Sequence, residues 1–225
     1  MRRALRTLSG LLLMAGLLLL ADAVSTLVWQ EPVSALYSRL QQGQLDDSLG
    51  KLERTPPSPR ERKLLAHMRN PSERLAFSAR SLERRVAAGD PLGRIRMPSI
   101  GVSSVLVAGT GSASLRRGPG HYPGTPLPGA SGTVAVAGHR TTYGAPFRRI
   151  NGLAVGDRIE LRMPYGRFVY RVERTRIVPP TATWVTQRVG YDRLILSACH
   201  PLYSAAKRIV VFAKLVEEHP DGSLA

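Results

Sequence analysis

The chain changes hydropathic texture three times. From Leu8 to Ala21 it is almost purely apolar, and after Asp22 it continues through Ala23 to Trp29. A membrane-spanning helix needs roughly 20 such residues, so this segment is long enough to cross a bilayer. Arg2, Arg3 and Arg6 precede it, which favours a cytoplasmic N-terminus with everything beyond the helix outside. Asp22 sits near the outer end, where a charge costs far less than at mid-bilayer, and Trp29 suits an interfacial anchor. Ala21-Asp22-Ala23 also fits the cleavage pattern of a signal peptide. The apolar run is longer than a usual signal core, so a retained anchor is preferred. Both readings export the rest of the chain.

From Gln30 to about Gly89 the sequence turns polar and charged, with Pro56-Pro57-Ser58-Pro59 in its middle. Helical patterns flank the prolines, over about Val33–Gln42 and from Glu61 through Ala88, with a break at Asn70-Pro71. Leu64, Leu65, Met68, Leu75, Phe77 and Leu82 form a modest apolar face. The segment reads as a stalk that carries a domain away from the membrane and ends in a helix packing on it.

From Pro91 onward short β-like runs alternate with Gly and Pro. They are Gly93–Met97, Val102–Val107, Thr133–Ala137, Arg158–Met163, Arg167–Val178, Tyr191–Ala198 and Arg208–Val216. Pro164-Tyr165-Gly166 is a hairpin signal, and Gly109 to Gly132 is a Gly- and Pro-rich loop with a helical turn. Seven or eight strands with few helices predict one closed β-barrel or sandwich of roughly 130 residues. The expected organisation is a tip and anchor over 1–29, a stalk over 30–90, an all-β domain over 91–218 and a tail over 219–225 that includes His219.

The chemistry concentrates in Leu194-Ile195-Leu196-Ser197-Ala198-Cys199-His200-Pro201, followed nine residues after the cysteine by Arg208. An apolar run leads into Cys199 and another leaves Arg208, so a strand ends at one and its antiparallel neighbour begins at the other. A thiol beside a fixed cation is a plausible nucleophile, because positive charge favours the thiolate. A lone cysteine is more often a small buried hydrophobe. What changes the balance is His139, which follows the short strand Thr133–Ala137. Histidine is the commonest general acid or base. Thiol, imidazole and guanidinium together make a set for nucleophilic attack, proton transfer and oxyanion stabilisation. His200 adjoins Cys199, and adjacent residues on a strand face opposite ways, so His139 is the preferred proton carrier.

Bulk properties narrow the field. The net charge is +16, of which residues 1–90 carry +5 (14 Lys/Arg, 9 Asp/Glu) and the remainder +11. That balance favours polyanionic surroundings, yet there is no nucleic-acid-binding motif and the basic residues do not cluster with aromatics, so nucleic acid is not an expected partner. One Cys excludes an internal disulfide. The five histidines form no zinc-binding grouping, Glu160, Glu173 and Asp192 are isolated, and no metal or other cofactor is expected.

Residues 91–216 resemble the sortases, membrane-anchored cysteine transpeptidases of Gram-positive cell surfaces, most nearly their class E and then class D. The resemblance is carried by Gly118-Pro119-Gly120-His121-Tyr122-Pro123-Gly124-Thr125, by Ala137-Gly138-His139-Arg140-Thr141-Thr142-Tyr143-Gly144-Ala145-Pro146-Phe147, by Leu196-x-x-Cys199-His200-Pro201 and by Arg208. It implies a closed eight-stranded β-barrel with short helices and a catalytic set of His139, Cys199 and Arg208. It further implies secreted substrates with a C-terminal Leu-Pro-x-Thr-Gly or Leu-Ala-x-Thr-Gly signal, cleaved between Thr and Gly, and transfer to an amine of a peptidoglycan precursor or, in pilus assembly, a lysine. Tyr122, His121, Ala198, Thr141 and Tyr143 are then candidates for the substrate groove, His121 being equally suited to a structural role. The family usually reads Thr-Leu-x-Thr-Cys before the nucleophile, where this chain has Ile195 to Cys199, so Ala198 removes a hydroxyl next to the thiol. Two rivals remain. An L,D-transpeptidase would need a histidine before the cysteine, and a non-catalytic tethered barrel would bind sorting signals or wall polymers without chemistry.

Overall fold

The computed structural model describes residues 2–28 and 32–221; Trp29, the expected interfacial anchor, and residues 222–225 of the expected tail lie outside them. Helix α1 (Arg2–Val28) is long and apolar enough over Leu5–Val24 to cross a membrane by length and composition, and its leucines from Leu5 to Leu20 are exposed. Three further helices precede the strands: α2 (Pro32–Arg54), α3 (Pro59–His67) and α4 (Pro71–Arg85). Their starts follow local chemistry. Ser58 caps α3 in a reciprocal box with Glu61 and Pro59 opens the helix, while Asn70 caps α4 through Ser72 N–H and Pro71 opens that one. In each case orphan N–H groups gain acceptors and proline occupies a position where no N–H is needed.

The strands are β1 (Pro91–Met97), β2 (Val102–Ala108), β3 (Gly120–His121), β4 (Thr133–Ala137), β5 (Arg158–Met163), β6 (Gly166–Val178), β7 (Arg193–His200) and β8 (Lys207–Pro220), with a short helix α5 (Ser112–Arg117) before β3. They close into one barrel in the order β1-β2-β3-β4-β7-β8-β6-β5. Closure leaves no unpaired edge. Alternation then sorts side chains between the interior and the outer wall. Val134, Val136, Leu194, Leu196, Ala198, Ile209 and Val211 point into the main core, joined by Phe147, Phe168 and Tyr170. Ala135, Ile195, Val210 and Phe212 face the other way, into a smaller cluster with Val178 and Val185.

The segment expected to be a stalk packs on the barrel through its last helix, as expected, and also along α2. Leu45 and Leu49 of α2 bury against Val105 and Val107 of β2, and the Gln42 side chain accepts from Val105 N (2.7 Å) and donates to Arg117 O (2.7 Å). The physical reason is β2, where Val105, Leu106 and Val107 are all buried; a strand apolar on both faces needs a layer on its outer face too. Leu45, Leu49 and Leu52 recur at helical spacing, which carries α2 twelve residues beyond the expected Gln42. From α4, Leu75, Ala79 and Leu82 join the main barrel core.

The last strand also differs from expectation. It runs four residues past Val216 to Pro220, because β6 is long enough to pair with it, Arg167 opposite His219 and Gly166 opposite Pro220. His219 is therefore a strand residue, with Glu217 at 3.5 Å.

Leu75 is fully buried and Leu64 is 44% exposed. Leu75→Ala is expected to lower unfolding free energy by about 2–5 kcal/mol, and Leu64→Ala by less than about 0.5 kcal/mol. Denaturant midpoints followed by far-UV circular dichroism check both; equal effects would mean that α4 does not close the barrel core.

Candidate active site

Strand β7 lies between β4, with which it pairs in parallel, and β8, with which it pairs antiparallel. In the β7–β8 ladder Cys199 stands directly opposite Arg208, a placement that brings their Cα atoms to about 4.5–5.5 Å. Cys199 shares its face with Ile195 and Ser197, and Arg208 shares its own with Val210 and Phe212, so both alternate outward onto the barrel wall. Both side chains are partly exposed. Arg208 Nη1 donates to Ala205 O (2.9 Å) and Lys207 O (3.0 Å), which fixes the guanidinium beside the strand end.

The third expected residue leaves the neighbouring strand at the same level. In β4, Ala137 pairs with Ser197, and Gly138 N donates to Ser197 O (3.1 Å). The next residue is His139. The chain turns there because Gly138 has no side chain: a Cβ would lie 2.6 Å from the Phe147 ring, which packs beneath the loop. Phe147 N donates to His139 O (2.9 Å), closing residues 139–147 into a compact loop. Burial holds the His139 pKa below its ordinary value, and the nearby Arg116 guanidinium adds to this. At neutral pH the imidazole is therefore neutral and able to accept a proton.

Arg140 is a residue whose role the sequence did not reveal. It is 5% exposed. Nη1 donates to Cys199 O (3.3 Å) and lies 3.4 Å from His200 Nδ1, while Nη2 donates to Asn151 Oδ1 (2.7 Å) and Arg148 O (3.3 Å). Burial, with Arg148 nearby, pulls its pKa below the usual arginine range. One buried guanidinium thus ties the loop that begins at His139 to the backbone of Cys199. A charged residue immediately after a strand of small apolar residues was the available signal.

The other groove candidates separate. Tyr122 packs against the outer cluster, half-buried. Thr141 and Tyr143 lie on the His139 loop, with the Tyr143 ring centroid 5.3 Å from that of His139. Ala198 faces the barrel core with Ile209. A hydroxyl at that position would point away from the outward-facing thiol, so the expected loss beside Cys199 does not follow from its placement. His121 is also interior: it pairs with Val136, and its Nε2 lies 3.1 Å from both Pro126 O and Thr125 Oγ1. Of the acidic residues, Glu160 meets Arg158, Glu173 accepts from the Tyr191 hydroxyl, and Asp192 accepts from Gly132 N. A cavity of about 600 Å³ between α2, α3, α4 and the Pro164-Tyr165 turn lies at the opposite end of the barrel. The thiol sits on the open wall instead, where an extended chain could approach it.

A closed barrel with a cysteine and an arginine facing each other across two strand ends, and a histidine leaving the third, defines a class of cysteine-centred β-barrel. The Sortase domain model matches residues 95–216, more than half of the chain, and the chain belongs to the sortase family. It is 33% identical over 132 residues to sortase D of Bacillus subtilis, covering 57% of this chain and 65% of that protein. It is 32% identical over 150 residues to sortase SrtE1 of Streptomyces coelicolor, covering 59% of this chain and 42% of that protein. The chain thus spans less than two thirds of the length of these curated relatives. Its structure is similar to the crystal structure of S. coelicolor sortase E1 with a tripeptide in the active site, with a TM-score of 0.56, 30% identity, and coverage of 59% of this chain and 91% of that one.

Burial also holds the His121 pKa below its ordinary value. The unfolded chain, with an ordinary histidine near pH 6.5, therefore binds a proton more readily than the folded chain. Stability from this group is full above about pH 6.5 and is lost as pH falls towards the folded pKa, by up to about 1.4 kcal/mol per pH unit. His121→Asn is expected to shrink that acid loss while lowering stability at neutral pH. Urea midpoints measured from pH 7.5 to 5 test this, and an unchanged slope would show that His121 is not the titrating group.

Proposed function

We propose that the chain is a membrane-anchored sortase that cleaves a C-terminal Leu-Ala-x-Thr-Gly or Leu-Pro-x-Thr-Gly signal between Thr and Gly and joins the released carbonyl to an amine of a peptidoglycan precursor. The observation that carries this reading is the pairing of Cys199 with Arg208 on the outer wall, with His139 leaving the adjacent strand. His139 takes the thiol proton as Cys199 Sγ attacks the threonine carbonyl carbon. The Arg208 guanidinium stabilises the negative charge that develops on the carbonyl oxygen. The C–N bond then breaks, His139 gives its proton to the departing glycine amine, and a thioester remains on Cys199. An incoming amine attacks that thioester, loses its proton to His139, and the thiol is regenerated with the proton returned.

Family membership supports the transpeptidase chemistry, and the S. coelicolor relative holds a tripeptide in its active site. Helix α1 supports the anchor by its length and composition, and the three arginines ahead of its apolar run from Leu8 support an outward-facing barrel. In this arrangement the partners are secreted proteins bearing the signal and the wall precursor amine.

The test uses the full chain in detergent micelles with quenched peptides carrying each signal, with and without an added amine. Wild type is expected to release the glycine-side fragment and join the other fragment to the amine. Cys199→Ala is expected to lose at least about 10³-fold in rate, since the covalent route is removed. Retained cleavage in Cys199→Ala would contradict the mechanism. A folded wild type that turns over neither peptide and whose thiol is not acylated would favour a binding barrel.

A further inference from the structure

The imidazole of His139 has no hydrogen bond to its ring nitrogens among the described residues. In most catalytic sites a carboxylate or carbonyl fixes the second nitrogen and with it the ring. Something else must hold His139, and the structure offers one ring. Tyr143 lies with its centroid 5.3 Å from that of His139, at an interplanar angle of 49°. The distance and tilt suit a packed aromatic pair.

Tyr143 is itself held from three sides. The Arg116 guanidinium carbon of α5 lies 5.6 Å from its ring centroid, a cation–π distance. The Tyr37 ring of α2 meets it edge-on at 6.5 Å and 67°. The backbone beneath it is unusual: Tyr143, Gly144 and Ala145 have φ of 53°, 73° and 41° in succession. Left-handed backbone is disfavoured for residues with a Cβ and persists only where the surroundings over-determine it. Here Ala145 N donates to Thr142 O and Arg148 N to Ala145 O, both at 2.9 Å, and α2 presses on the turn from outside. A Cβ at Gly144 would lie 2.4 Å from Ser38 Oγ, so helix and loop are in direct contact.

We propose that Tyr143 is a positioning residue for His139, and that α2, through Tyr37 and Ser38, is the clamp that holds Tyr143 against the imidazole. The proposal rests on His139 acting as the proton carrier in the reaction above. An imidazole that must meet a thiol in one step and an amine in the next works only within a narrow range of ring orientations. The tyrosine ring restricts that range by contact, and its hydroxyl is not required. In sequence, residues 29–31 lie between the end of α1 and the start of α2. Removing residues before Gly43 would take Tyr37 and Ser38 away and release the loop while leaving Leu45 and Leu49 on the barrel.

The test compares Tyr143→Phe, Tyr143→Leu and Tyr37→Ala with wild type in the full chain, in detergent micelles, with histidine labelled at Cε1. Tyr143→Leu is expected to lower kcat about tenfold with KM within about twofold, and Tyr143→Phe to restore wild-type kcat. Tyr37→Ala is expected to fall between them. In the spectrum, the His139 Cε1 proton is expected to lose its ring-current shift in Tyr143→Leu and keep it in Tyr143→Phe. Wild-type kcat in Tyr143→Leu, equal losses in the Phe and Leu variants, or an unmoved His139 resonance would each overturn the proposal. Should Tyr143→Leu fail to fold, Tyr37→Ala decides, since Tyr37 is 44% exposed and belongs to none of the core clusters; wild-type kcat there would refute the clamp. A wild type with neither turnover nor acylation at Cys199 would instead defeat the transpeptidase reading, while the resonance still reads the contact.

Discussion

The site depends on the register of one antiparallel pair. Cys199 opposite Arg208 in the β7–β8 ladder sets a thiol and a guanidinium side by side on the outer wall. A one-residue slip of β8 would turn Arg208 into the core and bring Ile209 out, and the same slip of β7 would do this to Cys199 and Ala198. That slip is opposed by the whole length of the strands: Leu194, Leu196, Ile209, Val211 and Ala213 fill the interior in the observed register. The hydrophobic core therefore does more than stabilise the barrel. It decides which face of β7 the cysteine occupies.

The parallel pairing of β4 with β7 extends the same logic to the third residue. Parallel neighbours need a long crossover, and here the chain between β4 and β7 runs through β5 and β6 before returning. Two strands distant in sequence thus end at one level, with Gly138 bonded to Ser197. Arg140 adds a buried cross-link between the two ends. The acceptors at Nη1 and Nη2 matter, since a buried guanidinium left short of partners is costly and the buried Nε has none among the described residues. Helix α2 completes the frame by covering Val105 and Val107 at its C-terminal half and meeting the His139 loop at its N-terminal half.

Much of this was legible in the sequence, and for identifiable reasons. Seven strands announced themselves by β-branched or apolar runs bounded by Gly and Pro, and the two-residue Pro164-Tyr165 turn joined two of them. β3 was not visible, because Gly120-His121 is too short to carry a period and is a strand only through its neighbours. The full length of α2 was masked by its polar composition, Leu45 and Leu49 being two apolar positions in a charged stretch. The order of His139, Cys199 and Arg208 could be read along the chain. The alternation that separates His200 from Cys199 also turns Ala198 inward, whereas the interior placement of His121 could not be read, because β3 is a strand only through its neighbours. The contacts of Tyr37 with Tyr143 and of Arg140 with Cys199 join residues far apart in sequence, and no local pattern marks them.

The central claim is that Cys199 forms a covalent bond to the threonine carbonyl of a sorting signal. The most direct measurement is the intact mass of the full chain after brief exposure to a Leu-Ala-x-Thr-Gly peptide without an acceptor amine, followed by peptide mapping. The account predicts a mass increase equal to the acyl fragment ending at Thr, located on Cys199 and discharged when an amine is added. Cleavage of the peptide with Cys199 unmodified throughout, or an adduct on another residue that turns over with amine, would contradict it.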